Sequence, residues 1–261
     1  MSIIQAIILA IIEGITEFLP ISSTGHMVLM SSFLGIEDDK FTKLFEVCIQ
    51  LGAILAVVVL YWKKFFNFSK WQFYVKLGLA VIPALIFGKL FDDLIDERLG
   101  NPVFIATVML IGGIILLFVD DWFRNPIIHE ESDINNISAL KIGLYQCLAI
   151  MFPGLSRSAA TIIGGMQQRL SRSLAAEFSF FLAVPTMTAA TGYKLLKFVK
   201  EEGSITSEQV KFLAIGNIVA FIVAVIAIKF FISILNKYGF KYFGIYRIIL
   251  GIVILTTVFS K

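Results

Sequence analysis

The chain has 261 residues, of which 58% are hydrophobic and 16% are charged. A soluble domain is about half apolar and about a quarter charged, so this composition excludes an ordinary soluble fold and indicates a chain that faces a bilayer. The net charge is +3, and no basic stripe with interleaved aromatic residues is present, which excludes a nucleic-acid-binding protein.

Two apolar regions are broken by polar motifs. The first, residues 3–34, is interrupted at residues 13–26 by Glu-Gly-Ile-Thr-Glu-Phe-Leu-Pro-Ile-Ser-Ser-Thr-Gly-His, and the second, residues 142–165, by Phe-Pro-Gly-Leu-Ser-Arg-Ser at residues 152–158. The prolines stop a helix, and each arm is shorter than the roughly 20 residues of a full crossing. Both regions are therefore predicted to be re-entrant helical hairpins, whose irregular backbone is surrounded by protein or by a water-filled cavity.

Six other stretches are long and apolar enough to span a bilayer. They are residues 44–61, 75–91, 103–119, 176–195, 212–235 and 242–259. The predicted fold is an all-α integral membrane protein of six transmembrane helices plus two re-entrant hairpins, in a single membrane domain of residues 1–261. Cys48 and Cys147 lie in apolar segments without metal-ligand spacing, so they are predicted to be buried core residues.

The two broken regions resemble each other. Pro20-Ile-Ser-Ser-Thr aligns with Pro153-Gly-Leu-Ser-Arg-Ser when one residue is inserted, and each motif is followed by a glutamate that opens a span, Glu46 or Glu177. Each copy contains three spans, and an odd number requires the second copy to be upside down. The chain is therefore predicted to be an inverted-topology repeat with halves 1–119 and 142–261.

Lysines and arginines set the predicted orientation. Residues 63–76 form the most basic connection between spans and are predicted to be cytoplasmic. Counting spans from there places both termini outside. It also places Arg169, Arg172, Lys237 and Lys241 inside, and Asp92, Asp93, Asp96 and Glu97 outside.

Glu13 and Glu17 are four residues apart and share one face of an apolar helix. An ionised carboxylate near the middle of a bilayer costs about 2.5–3.5 kcal/mol, so a cation, a metal or a shared proton must compensate. Ionisable residues within a membrane are candidates for a functional site. The alternative is a pair at the aqueous rim that serves only solubility.

The segment after Pro20 combines a helix start with reactive side chains. Ser22 is a predicted N-cap, which leaves the amides of Ser23, Thr24 and Gly25 free as an anion site. Ser23 and His26 are three residues apart, so hydroxyl and imidazole can lie on the same side of the first turn. His is suited to proton transfer near neutral pH. The alternative is that the hydroxyls only cap the helix and His26 only packs.

The second break carries Ser156, Arg157 and Ser158. A buried arginine requires an anionic partner, and its planar fork suits phosphate, for which the neighbouring hydroxyls add donors. Arg157 could instead pair only with Glu13 or Glu17. The two possibilities are compatible, because a resting Glu–Arg pair could open for a substrate.

The two motifs strongly resemble those of the bacterial undecaprenyl-diphosphate phosphatase family, also called the bacitracin-resistance family. The resemblance covers essentially the whole chain, including Phe45-Glu-Val-Cys-Ile-Gln-Leu-Gly-Ala-Ile-Leu-Ala-Val and Glu177-Phe-Ser-Phe-Phe-Leu-Ala-Val-Pro. It implies a bacterial plasma-membrane enzyme that hydrolyses the C55 lipid diphosphate to the monophosphate and inorganic phosphate, recycling the carrier for peptidoglycan synthesis and conferring bacitracin resistance. It also implies a divalent cation and an outward-facing site. The implied site residues are Glu13, Glu17, Ser23, His26 and Arg157, with Ser22, Thr24, Ser156 and Ser158 nearby.

Phosphoanhydride hydrolysis depends mainly on positioning and charge neutralisation. Arg157 and the amides of the first break are predicted to hold phosphate oxygens, while Glu13 and Glu17 bind Mg²⁺ or Ca²⁺. Ser23 is the predicted nucleophile with His26 as its base, and attack by water activated by His26 is the alternative. The substrate is a membrane lipid, and a homo-oligomer stays open. A transporter or flippase is the second class considered, because inverted repeats with broken helices are typical of transporters.

Overall fold

The structure is a computed structural model that describes residues 1–259, and within that range it contains helices and no strand. The predicted outward position of the C-terminal Lys261 lies outside the described residues. The helices, in chain order, are α1 (Ile3–Thr16), α2 (Ser23–Phe33), α3 (Lys40–Cys48), α4 (Gln50–Leu60), α5 (Trp62–Phe65), α6 (Trp71–Leu90), α7 (Asp92–Leu99), α8 (Pro102–Trp122), α9 (Asn136–Met151), α10 (Arg157–Gln167), α11 (Arg172–Glu202), α12 (Ser207–Tyr238) and α13 (Lys241–Phe259).

The prediction of six membrane-spanning helices is confirmed. Over residues 1–259, six helical segments are long and apolar enough to cross a bilayer, and the first of them is α3 and α4 taken together. The segments are Lys40–Leu60, Trp71–Leu90, Pro102–Trp122, Arg172–Glu202, Ser207–Tyr238 and Lys241–Phe259. Each overlaps the apolar run predicted for it.

The two broken regions form helix–break–helix units. The first break separates α1 from α2 and the second separates α9 from α10. In the first unit the chain folds back on itself. Its two ends meet where the Nε2 of Gln5 donates to the carbonyl of Leu34 at 3.4 Å. In the second unit the backbone of Gly164 lies against the ring of Tyr145. That both units are re-entrant, and that the two halves are inverted copies, stays a prediction.

Side chains on α12 separate an inner from an outer face. Ala220, Ala224 and Ile228 are buried, whereas Ile222 and Ile226 are 53% and 66% exposed. Residues of like exposure recur every fourth position, as expected for one face of a helix. Small residues on the inner face let helices approach closely, and large apolar residues on the outer face suit lipid. The predicted burial of Cys48 and Cys147 is likewise confirmed.

Helices α8 and α13 touch backbone to backbone at a pair of glycines. A Cβ added to Gly113 would lie 2.9 Å from the carbonyl oxygen of Gly244, and one added to Gly244 would lie 2.7 Å from that of Gly113. No side chain fits there without a shift, so glycine is required at both positions. This contact holds α13 in register beside the two breaks.

Ion pairs join the connections at each end of the helices. Asp92 accepts from Lys194 at 3.0 Å and from Lys197 at 2.8 Å. At the other end of α11, Lys64 pairs with Glu177 at 2.9 Å. These contacts bring together segments that were predicted to share a side of the membrane.

Candidate active site

The two breaks have the same backbone geometry. Ser22 has φ 70° and ψ 92°, and Ser156 has φ 73° and ψ 117°. Each serine caps the following helix, because its Oγ accepts from the amide three residues on, Gly25 or Ala159, at 3.3 Å. The N-cap predicted at Ser22 is confirmed. The amide of Gly25 is occupied by this cap, so the prediction that it is free for an anion is wrong.

Glu17 joins the two breaks. Its Oε2 accepts from the Oγ of Ser23 at 2.6 Å, and its Oε1 accepts from the Nη2 of Arg157 at 2.8 Å. Arg157 begins α10 and Ser23 begins α2, so the sequence-distant groups meet only because the two helix starts converge. The Glu17 side chain is 5% exposed and that of Arg157 is 14% exposed. A charged pair buried this deeply is poorly solvated by water, so its stability depends on the hydrogen bonds that its two groups make.

Arg157 is held on several sides. Its Nη1 donates to the carbonyl of Ser179 at 3.0 Å, its Nη2 lies 3.4 Å from the sulfur of Met187, and the guanidinium carbon lies 5.8 Å from the centre of the Phe18 ring. Its Nε is buried and has no hydrogen-bond partner within residues 1–259. The guanidinium is thus oriented by α11 and keeps one donor available.

Glu13 is fully buried, and neither carboxylate oxygen has a hydrogen-bond partner in the part of the chain that the structure describes. Its carboxyl lies beside that of Glu17 and within electrostatic reach of Glu46 and Arg157. Glu46 was singled out in the sequence only as a repeat marker, and its Oε1 is also buried without a partner among the described residues. A buried carboxylate in this state requires a proton or a cation.

The residues fit a divalent cation held with the substrate. The carboxylate oxygens of Glu13, which have no hydrogen-bond partner within residues 1–259, are hard donors. The carboxylate of Glu17 supplies a second set of such donors. Within the described range no group of three or more His, Cys, Asp or Glu residues is arranged to hold a metal by itself. Mg²⁺ typically uses one or two carboxylates together with water and substrate phosphates, which matches this donor set.

The other hydroxyls predicted to bind phosphate are engaged differently. Ser158 donates to the carbonyl of Leu19 at 2.8 Å, and its Oγ lies 3.0 Å from that of Ser156. Both serines are buried. They therefore join the second break to the first, while Thr24 is half-buried at the start of α2.

Both ring nitrogens of His26 contact groups other than Ser23. Its Nδ1 lies 2.7 Å from the carbonyl oxygen of Ser22, and its Nε2 lies 2.7 Å from the hydroxyl of Tyr246. Over residues 1–259 no hydrogen bond connects His26 to Ser23, whose hydroxyl is bound to Glu17 instead. The predicted transfer of a proton from Ser23 to His26 therefore has no direct path here, and Glu17 is the acceptor in contact.

Arg247 was not identified from the sequence. It is fully buried in α13 and has no carboxylate partner within the described chain. It donates to the carbonyls of Pro20 at 3.2 Å, Leu155 at 2.7 Å and Gly154 at 2.8 Å. One side chain thus bonds both breaks. The available signal was a lone arginine in the interior of an apolar span, which marks a functional position by default.

Comparison with known proteins gives a consistent family. Residues 6–253 match the family model described as bacitracin resistance protein BacA. The chain is 60% identical to an undecaprenyl-diphosphatase of Flavobacterium johnsoniae, over 98% of this chain and 96% of that protein. It is 52% identical to an undecaprenyl-diphosphatase of Porphyromonas gingivalis, over 96% and 95%, and 51% identical to one of Bdellovibrio bacteriovorus, over 100% and 97%. The chain belongs to the bacitracin resistance protein BacA family.

Proposed function

We propose that this protein hydrolyses undecaprenyl diphosphate to undecaprenyl phosphate and inorganic phosphate, which recycles the lipid carrier for cell-wall synthesis and confers bacitracin resistance. The relatives that carry the name undecaprenyl-diphosphatase match nearly the whole chain at 51–60% identity. One observation carries the chemistry: the carboxylate of Glu17 accepts hydrogen bonds from both Ser23 and Arg157. These contacts support the proposal, because hydrolysis of a diphosphate needs a nucleophile, a proton acceptor and a cation that binds phosphate, and Ser23, Glu17 and Arg157 have the chemistry for these roles.

The substrate takes the place of Glu17 on Arg157. In the resting protein one Glu17 oxygen occupies the guanidinium as a phosphate oxygen would. The incoming diphosphate binds this fork and the Nε donor, while the amides of Ser23 and Thr24 at the start of α2 add donors to the same anion. The prenyl chain lies along the apolar outer faces of the helices.

The hydroxyl of Ser23 attacks the terminal phosphorus. Its Oγ–P bond forms, the bond between that phosphorus and the bridging oxygen breaks, and the Ser23 proton moves to Glu17. Undecaprenyl phosphate leaves, and water then attacks the phosphorus and gives its proton to His26. The Oγ–P bond breaks, Ser23 takes its proton back from Glu17, and inorganic phosphate is released. Direct attack of water, with His26 accepting its proton, gives the same products and stays the alternative. In both routes Arg157 holds the charge that develops on the phosphoryl oxygens.

Glu13 and Glu17 would hold the divalent cation, Mg²⁺ or Ca²⁺. When bound, it neutralises charge on the diphosphate. Glu13 is the stronger candidate, because both of its oxygens are buried without partners within the described residues. Glu17 has the second role of receiving the Ser23 proton.

The location that we propose is the bacterial plasma membrane, with the site facing outward and residues 63–76 in the cytoplasm. Lys70 and Glu97 are exposed and lie at opposite ends of α6 and the short helix after it. In intact cells, an impermeant thiol reagent should label a cysteine at Glu97 and spare one at Lys70 until the membrane is opened. The reverse pattern would overturn the orientation.

Phosphate release tests the activity itself. Purified protein in detergent, given undecaprenyl diphosphate with Mg²⁺ or Ca²⁺, should release inorganic phosphate. Detergent removes the two compartments, so a pure flippase would show no product. Arg157→Ala, prepared in the same way, is the inactive control, and Glu208→Gln, at an exposed carboxylate on α12, is the active one. Wild-type release no greater than that of Arg157→Ala would contradict the proposal.

A further inference from the structure

Tyr246 contacts the ring nitrogen of His26, Nε2, that is not bonded to the backbone. The hydroxyl of Tyr246 lies 2.7 Å from the Nε2 of His26, and the two rings are stacked with centroids 5.6 Å apart and planes 9° apart. Among the residues that the structure describes, no other group hydrogen-bonds this nitrogen. Tyr246 is 44% exposed, and within residues 1–259 the bond to His26 is the only hydrogen bond that its hydroxyl makes.

The positions of the hydrogens on His26 and Tyr246 follow from the groups that these side chains contact. A carbonyl oxygen only accepts, so the Nδ1 of His26 carries the hydrogen that bonds to Ser22. The Nε2 of neutral His26 then has a lone pair, and the Tyr246 hydroxyl must donate to it. A proton can reach Nε2 only after this hydroxyl has moved away or by passing through it.

The position of Tyr246 is fixed by its neighbour. Arg247 follows it on α13 and bonds the carbonyl of Pro20 in the first break and that of Gly154 in the second. The close contact between Gly113 and Gly244 holds the same helix against α8. The helix backbone is thus held in place, and while the phenol ring stays stacked on His26 a proton reaches Nε2 by passing through the hydroxyl.

We propose that Tyr246 is a proton-relay residue for His26. This inference rests on the proposed hydrolysis, in which His26 receives the proton of the attacking water, either in direct attack or in cleavage of the phosphoserine. The water gives its proton to the Tyr246 oxygen while the Tyr246 proton moves to Nε2 of His26. The resulting hydroxide forms the new bond to phosphorus, and the bond from that phosphorus to its leaving oxygen, the bridging oxygen or the Oγ of Ser23, breaks. One net proton then rests on His26, and it leaves to solvent through Tyr246 as phosphate departs.

The test is a double-mutant cycle on purified protein with undecaprenyl diphosphate. Tyr246→Phe keeps the stacked ring and removes only the hydroxyl. We expect kcat to fall about tenfold or more while KM stays within about twofold, because the lost contact serves proton transfer and not binding. In the His26→Ala background, Tyr246→Phe should cause no further loss, since the two residues act as one unit. Tyr242→Phe, on the same helix and 59% exposed, is the matched control and should keep wild-type kcat.

Different failures have different meanings. Wild-type kcat in Tyr246→Phe, with His26→Ala impaired, would overturn the relay and leave the proposed hydrolysis intact. An equal loss from Tyr246→Phe in both backgrounds would assign Tyr246 a structural role and also overturn the relay. Wild-type kcat in His26→Ala would remove His26 from the proposed mechanism and the relay with it.

Discussion

The two helix breaks share a backbone but not a chemistry. Both place a serine in the left-handed region, Ser22 at φ 70° and Ser156 at φ 73°, and both use it to cap a helix of 11 residues. The next residue differs, being Ser23 in the first break and Arg157 in the second. The shared geometry points both helix starts toward one carboxylate, that of Glu17. The position after the cap then supplies a hydroxyl from one break and a cation from the other.

The segments before the breaks differ in the same way. Glu13 stands seven residues before Pro20, and Gln146 stands seven residues before Pro153. Both side chains are fully buried, but Gln146 is neutral and donates to Thr186 at 3.2 Å. Acidic residues are therefore present in one copy only. One copy of the motif can carry buried negative charge when the other supplies the arginine, whereas two acidic copies would repel each other.

The largest expected effect comes from removing both carboxylates of the first unit, so that it carries no acidic residue before its break, like the second. In Glu13→Gln combined with Glu17→Gln, both carboxylates become amides, and we expect no measurable divalent-dependent hydrolysis. The physical reason is loss of the oxygen donors for the cation and of the acceptor for the Ser23 proton. Phosphate release is measured against Mg²⁺ and Ca²⁺ concentration, with calcium binding followed by calorimetry, and Glu208→Gln is the matched control.

Removing the Glu13 carboxylate alone is also expected to affect stability. Glu13→Gln alone should keep or raise the melting temperature, because it removes a fully buried carboxylate whose oxygens have no partner in residues 1–259. Unchanged activity and metal dependence in the double variant would remove the acidic pair from the site.

Arg157 is next in expected size. Arg157→Ala should lower kcat/KM by about 10³-fold, because charge on the phosphoryl oxygens is no longer held through the transition state. Arg157→Lys should recover only part, since an ammonium keeps the charge without the fork. Arg172→Ala, which removes a 2.7 Å pair with Asp120 at the start of α11, is the matched control.

Instability could mimic this loss, because Arg157→Ala leaves the charge of Glu17 buried without its partner. Adding Glu17→Gln to Arg157→Ala should restore much of the melting temperature without restoring turnover. A monodisperse Arg157→Ala with near-wild-type turnover would show that Arg157 acts only as a structural partner.

The spans and the breaks were predictable from the sequence for simple reasons. An apolar run long enough to cross a bilayer has few other solutions, so the six spans follow from composition. Pro20 and Pro153 mark the breaks because proline removes a helical hydrogen bond and is followed in both places by serines that cap a new helix. Proline alone is not sufficient, since α6 and α11 continue through Pro83 and Pro185. Glu13, Glu17 and Arg157 were identified because charge inside apolar sequence is costly and must have a purpose.

The pairing of Arg157 with a glutamate was anticipated, and the structure has it with Glu17, but the partners of Ser23 and His26 were not predictable. Ser23 and His26 have the spacing of one helix face, yet the Nδ1 of His26 bonds the carbonyl of Ser22, which turns its ring toward Tyr246. Ser23 is bound to Glu17 instead. These choices depend on which backbone carbonyls the breaks leave open and on where α13 packs, and no local pattern encodes either.

The next prediction concerns Arg247, the side chain that bonds backbone carbonyls of both breaks. Arg247→Met keeps an unbranched side chain but leaves the carbonyls of Pro20, Gly154 and Leu155 without this donor. We expect the free energy of unfolding to fall by about 3–5 kcal/mol, because each buried carbonyl that loses its partner costs about 1–3 kcal/mol. Thermal melting in detergent measures the effect, with Arg247→Lys expected between Met and wild type. An unchanged melting temperature in Arg247→Met would mean that the breaks are held together without it.

The smallest expected effect tests whether the two breaks are one motif. Ser22→Ala and Ser156→Ala each remove a cap bond of 3.3 Å and should each cost about 1 kcal/mol. Glycine should cost less than alanine at both positions, because the backbone is left-handed and a residue without Cβ adopts that conformation freely. Melting temperatures of the four variants measure the order. If glycine is better than alanine at Ser22 but worse at Ser156, the packing of the Cβ at position 156 outweighs the backbone strain there, and the two breaks resemble each other in backbone alone.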